Sequence, residues 1–135
     1  MMMKKKAFYI SIPVLIACII FYLCCLIPPN DIPNISSAIP IDKVVHFLMY
    51  VGFAGACFFS YIHLYPGKIK FTYLFLICIL QPILFGGLIE IIQLKYCPGR
   101  SGDWFDFLAD SLGVIFVIPF AYIYKKYVDK KTFSK

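Results

Sequence analysis

Four apolar runs, at residues 7–27, 44–64, 71–93 and 104–124, constrain this 135-residue chain more than any other feature. At about 1.5 Å per helical residue, each can cross a hydrocarbon core of roughly 30 Å. Backbone N–H and C=O groups find no partner in hydrocarbon, so each run is expected to be an α-helix and open strands are excluded. Only 15% of the residues are charged and the mean hydropathy is +0.84, whereas an ordinary soluble domain carries about 25% charged residues. The expected fold is all-α: a polytopic membrane protein, a four-transmembrane-helix bundle forming one domain over residues 1–135 with lipid as its main partner.

The formal charge of +6 would suit nucleic acid only if the basic residues gathered on one folded surface. Instead they mark helix ends, so no nucleic-acid partner is expected. With alternating crossings, Lys4, Lys5, Lys6, Lys68, Lys70, Lys125, Lys126, Lys130, Lys131 and Lys135 share a side with one acid, Asp129. The other side holds Lys43, Lys95 and Arg100 against Asp31, Asp42, Glu90, Asp103, Asp106 and Asp110. The positive-inside rule makes the lysine-rich side, and both termini, cytoplasmic. The first run follows a basic start as a signal peptide would, but about 21 apolar residues exceed a signal core of about 7–15, and no small-x-small cleavage site follows. A retained anchor is expected.

Local features refine this outline. Connections are expected at residues 28–43, 65–70 (Pro66, Gly67) and 94–103 (Pro98, Gly99, Gly102). Pro82 and Pro119 should free the carbonyls of Cys78 and Ile115 and bend their helices. Gly52 with Ala56, the Gly86–Gly87 pair and Gly113 are candidate close-packing points. Cys18, Cys24, Cys25, Cys57 and Cys78 fall inside apolar runs and only Cys97 in a polar loop, which reads as small core residues without a disulfide framework.

The chemistry-bearing residues concentrate at one membrane level. Asp42, His46 and Tyr50 recur every fourth residue, with Lys43 beside them; Glu90 and Gln93 share a face; Asp103, Asp106, Asp110 and Gly113 follow a three, four, three spacing. A charge facing lipid at mid-bilayer costs between about 2.5 and 17 kcal/mol. Glu90 and Asp110 should therefore turn inward, to Lys43, His46 or Arg100, or to water or a cation. His63, at the opposite end, has no acidic company and reads as interfacial. A metal site from His46, Glu90, Asp106 and Asp110 is chemically possible, but no HExxH or clustered Cys/His spacing calls for one, and neither a metal nor a cofactor is assigned. The chain has no phosphate-cradling glycine loop, dinucleotide fingerprint or nucleophile elbow.

The residues Asp42-Lys43-Val44-Val45-His46-Phe47 with Tyr50, Glu90-Ile91-Ile92-Gln93, and Arg100-Ser101-Gly102-Asp103-Trp104-Phe105-Asp106 resemble the VanZ-like family over about residues 10–124. The family pattern resembles D-K-x-x-H-F, E-x-x-Q and R-S-x-D-x-x-D-x-x-x-N-x-x-G; here Asp110 stands where the family commonly has Asn. The resemblance implies a multi-pass protein of the bacterial cytoplasmic membrane acting in the cell envelope. The family's namesake is linked to reduced susceptibility to the glycopeptide teicoplanin.

Three functions fit these residues. In the first, an outward-facing pocket of Asp42, Lys43, His46, Tyr50, Glu90, Gln93, Arg100, Asp103, Asp106 and Asp110 binds a cell-envelope or lipoglycopeptide-type ligand. In the second, the chain is an enzyme on a lipid-linked envelope intermediate, with Glu90 or Asp106 as base, His46 as acid and Arg100 on an anionic head group. The third is an ion-coupled transporter, which four helices could form only by oligomerising. Beside all three stands a structural role, in which the cluster staples helix ends and does nothing else.

Overall fold

A computed structural model of the chain describes residues 2–27, 41–67, 69–100 and 102–133. The expected 28–40 connection, Lys68 of the lysine-rich turn, and Ser101 of the third motif lie outside these residues. Helix α1 comprises Met2–Phe21 and continues as a π-helical turn, Tyr22–Leu26; α2 is Ile41–Leu64, α3 is Phe71–Tyr96 and α4 is Trp104–Phe133. No strand occurs among the described residues. All four helices are long and apolar enough to cross a membrane, which fits a membrane protein.

The helices extend beyond the apolar runs. α2 begins at Ile41 where residue 44 was expected, α3 ends at Tyr96 rather than 93, and α4 runs to Phe133 rather than 124. Hydropathy marks the lipid-facing length alone, whereas lysine, present in each of these extensions, propagates helices well in water. In the last turns of α4 the Lys125 ammonium donates to Asp129 one helical turn on, at 2.7 Å.

Proline is accommodated differently in different helices. Ahead of Pro82 the ladder widens into a π-helical stretch, Leu76–Leu80, where the Gln81 N–H donates to the Leu76 carbonyl. A ring that can neither donate nor fit beneath the preceding turn favours such a widening. The helices of α1 and α4 continue through Pro13 and Pro119 without interruption.

α2 makes its most extensive contacts with α4, then with α1, and α3 docks on α4. Tyr50, Phe53, Ile62, Ile89 and Val114 are almost completely enclosed, while the outward faces of α1, α3 and α4 carry large apolar side chains suited to lipid. Since lipid is as apolar as leucine, helix association relies on close packing. Gly113 supplies it: a Cβ there would lie 2.5 Å from the Phe47 carbonyl oxygen and 3.1 Å from the Val51 nitrogen. Gly86 packs against Asp110 and Tyr50 in the same way. Gly52 does not take the packing role its spacing suggested, because no atom lies within 4 Å of its Cβ position.

At the end opposite the acidic cluster, His63 stacks on Tyr9 at 5.0 Å between centroids and its Nδ1 lies 2.8 Å from the Phe59 carbonyl. The Tyr124 hydroxyl lies 3.4 Å from its Nε2, so this ring joins α1, α2 and α4. All six cysteines are free thiols.

Replacing Gly113 by Ala should cost about 1–3 kcal/mol through overpacking against α2. Gly52→Ala should be neutral or gain up to about 1 kcal/mol from helix propensity. Unfolding titrations in mixed micelles measure both; equal effects would contradict the proposed crossing point.

Candidate functional site

The site begins with how the chain enters α4. Cys97-Pro98-Gly99-Arg100 closes a turn in which the Arg100 N–H donates to the Cys97 carbonyl at 3.1 Å. Proline second and a glycine third at φ 79° are the residues a type II turn requires. The chain then passes so close over α3 that a Cβ on Gly102 would sit 2.6 Å from the Glu90 carbonyl oxygen. Next comes Asp103, whose Oδ1 accepts the Phe105 N–H at 2.9 Å and caps one of the unpaired donors that begin α4.

Asp103 also joins the other two helices. Its N–H donates to Glu90 Oε2 of α3 at 2.8 Å, and its Oδ2 accepts from Lys43 Nζ of α2 at 2.6 Å. Lys43 further donates to Asp106 Oδ1 at 2.5 Å and to Asp42 Oδ2 at 2.9 Å. An ammonium has three donors, and here each has a carboxylate. Lys43, helped by the Phe105 N–H, holds the Asp103 carboxyl below its ordinary range.

Deeper in the bundle, His46 Nδ1 lies 3.0 Å from Asp110 Oδ1, and its Nε2 lies 3.9 Å from Asp106 Oδ2. Asp110 is wholly enclosed and its Oδ2 has no partner; Glu90 Oε1 and the Tyr50 hydroxyl are likewise buried and unpartnered. His46, Glu90 and Asp110 each offer a ligand-type atom, and these atoms lie within 4.8 Å of one another. Removing His46 would leave Asp110 without its only ion-pair partner among the described residues, a loss in the range of about 3–5 kcal/mol.

Two sequence candidates point elsewhere. Gln93 Nε2 donates to the Cys24 carbonyl at 2.8 Å, and Arg100 Nη2 donates to the Leu23 and Ile27 carbonyls at 3.3 and 3.1 Å. Cys97 Sγ joins them at the Cys25 carbonyl, 3.5 Å away. These three side chains anchor the end of α1, where the π-helical turn carries carbonyls that need donors. The cluster proper thus comprises Asp42, Lys43, His46, Tyr50, Glu90, Asp103, Asp106 and Asp110.

The pattern of acids could not reveal a groove of about 360 Å³ between α3 and α4, lined by Gly87, Ile91, Leu94, Trp104 and Phe107 together with Glu90 and Asp103. The adjoining Gly86 and Gly87 were visible as small residues, but not their separate duties. Gly86 lies against Asp110, whereas Gly87 lies against the Phe107 ring. Comparison with protein families, curated proteins and solved structures found no match.

Because the folded-state pKa of Asp103 is depressed, its pairing with Lys43 stabilises the fold fully above the unfolded value of about 3.9 and weakens only as pH falls through the lower folded value. Asp103→Asn keeps a competent helix cap and removes the charge. The gap in melting temperature between wild type and Asp103→Asn should therefore stay constant from pH 7 to about pH 5 and close below about pH 4. A gap that closed nearer neutrality would show that Lys43 does not hold this carboxylate.

Proposed function

We propose that this chain is a VanZ-like protein of the bacterial cytoplasmic membrane that binds a membrane-borne, cell-envelope amphiphile at the outward edge of its bundle. The lysine distribution supports the orientation: Lys4, Lys5, Lys6, Lys70, Lys125, Lys126, Lys130 and Lys131 gather at one end, and their side is cytoplasmic under the positive-inside rule. Both termini then lie inside and the acidic cluster outside.

The groove between α3 and α4 carries the functional reading. Its lining is mostly apolar and includes Glu90 and Asp103, the mixture an amphiphile requires, with its apolar chain against the helices and its polar end near these two acids. Concave, mostly apolar sites with a few fixed polar groups are the usual form of ligand sites. An acylated glycopeptide or a lipid-linked envelope intermediate has this chemistry, and a role in teicoplanin-type susceptibility follows from the same reading. The catalytic alternative draws on the buried His46–Asp110 pair beside Glu90, a combination suited to proton transfer. Turnover of a lipid-linked substrate by the purified protein would favour it.

Binding of an acylated glycopeptide and of its chain-free counterpart to the protein in nanodiscs separates chain recognition from head-group recognition. The acylated compound should bind the tighter of the two. Gly87→Leu, which fills the groove beside Phe107, should weaken it about tenfold, about 1.4 kcal/mol. Equal binding of both compounds, unaffected by Gly87→Leu, would refute the reading.

A further inference from the structure

The cations at this end of the bundle are unevenly shared. Lys43 spends all three donors on Asp42, Asp103 and Asp106, and Arg100 is turned to the carbonyls of α1. Among the described residues, Asp110 meets no cationic side chain but His46, and Glu90 forms no salt bridge. Both carboxylates nonetheless lie inside the bundle, and each keeps one buried oxygen without a hydrogen-bond partner. Unpartnered carboxyl oxygens in such a place are costly, and an imidazole lies beside them.

We propose that His46, Glu90 and Asp110 bind one divalent transition-metal ion, with the preference for mixed nitrogen and oxygen ligands that zinc shows. Two carboxylates and a neutral imidazole balance a doubly charged cation, which Lys43 and Arg100 leave them free to do. The three ligand-type atoms lie within 4.8 Å of one another. Around a tetrahedral zinc, with bonds near 2.0–2.2 Å, such atoms sit about 3.3–3.6 Å apart. A modest rotation closes the difference, and no hydrogen bond restrains Glu90 Oε1. Asp110 Oδ2, which likewise has no hydrogen-bond partner, is free for the ion. An imidazole ligand in a confined site favours zinc over magnesium, which prefers octahedral oxygen and retains its waters. The groove reaches Glu90 and gives the ion a route of entry. Three protein ligands leave a coordination position for water or for an oxygen of a bound molecule.

The test uses the full chain in detergent, stripped with chelator and titrated with zinc alone, then with cobalt, whose visible absorption reports ligand type and geometry. One zinc should bind per chain and raise the melting temperature. Cobalt should compete, with a nitrogen–oxygen spectrum, and magnesium should not. Glu90→Gln and Asp110→Asn should each weaken zinc binding at least about tenfold, while Asp129→Asn, at the far end, leaves it unchanged. Should either ligand variant fail to fold, the wild-type stoichiometry, thermal shift and cobalt spectrum decide alone. Absence of saturable zinc binding by wild type, or binding untouched by both ligand substitutions, would overturn the proposal. No acylated glycopeptide is present in any arm, so this result and that for the groove stand or fall separately.

Discussion

The arrangement of this molecule depends on one ammonium group. Lys43 stands at the start of α2 and holds Asp103 and Asp106 at the start of α4, while Asp103 gives its backbone N–H to Glu90 on α3. A lysine and three aspartates that would be costly singly in an apolar medium become acceptable together, because the cation neutralises part of their charge and fills its own donors. Three helices are thereby brought to one level. Gly113 then allows α2 and α4 to approach until a methyl group would not fit between them.

Below this layer the chemistry changes. The outer level is an ion-pair network at the rim, with Asp42 largely exposed and Asp106 mostly enclosed. The inner level, His46, Glu90 and Asp110, is buried and short of partners. A structural staple would be expected to satisfy its polar atoms, as Gln93 does on the Cys24 carbonyl of the turn ending α1. At the inner level the Tyr50 hydroxyl, Glu90 Oε1 and Asp110 Oδ2 are left without partners, and a groove between α3 and α4 reaches Glu90. Lys43, Asp103, Gln93 and Arg100 thus fasten one helix to another, while Glu90 and Asp110, beside His46, each keep one buried oxygen without a partner.

The sequence made the helices legible because hydropathy over about 20 residues is a strong signal, and it made the convergence of α2, α3 and α4 legible because charges in apolar runs must find one another. It concealed which donor goes to which acceptor. Arg100 and Gln93 share the polar side of their segments with Glu90, and only the π-helical turn ending α1, which no residue pattern announces, turns them to that helix. Gly52 looked like a packing residue because helical spacing shows which residues share a face but not whether a neighbour covers it. The Asp at position 110, where the resembled pattern has Asn, was visible from the start. Its consequence was not, since the lack of a cation for Asp110 also depends on Lys43 being fully engaged elsewhere.

A double-mutant cycle between Lys43→Met and Asp106→Asn, followed by reversible unfolding in mixed micelles, tests the junction most directly. Residues in direct contact couple by about 0.5–3 kcal/mol, whereas independent sites add to within about 0.3–0.5 kcal/mol. Coupling above about 0.5 kcal/mol, with the double variant losing less than the two single losses together, is the predicted result. Strict additivity would mean that α2 and α4 do not meet through this ion pair.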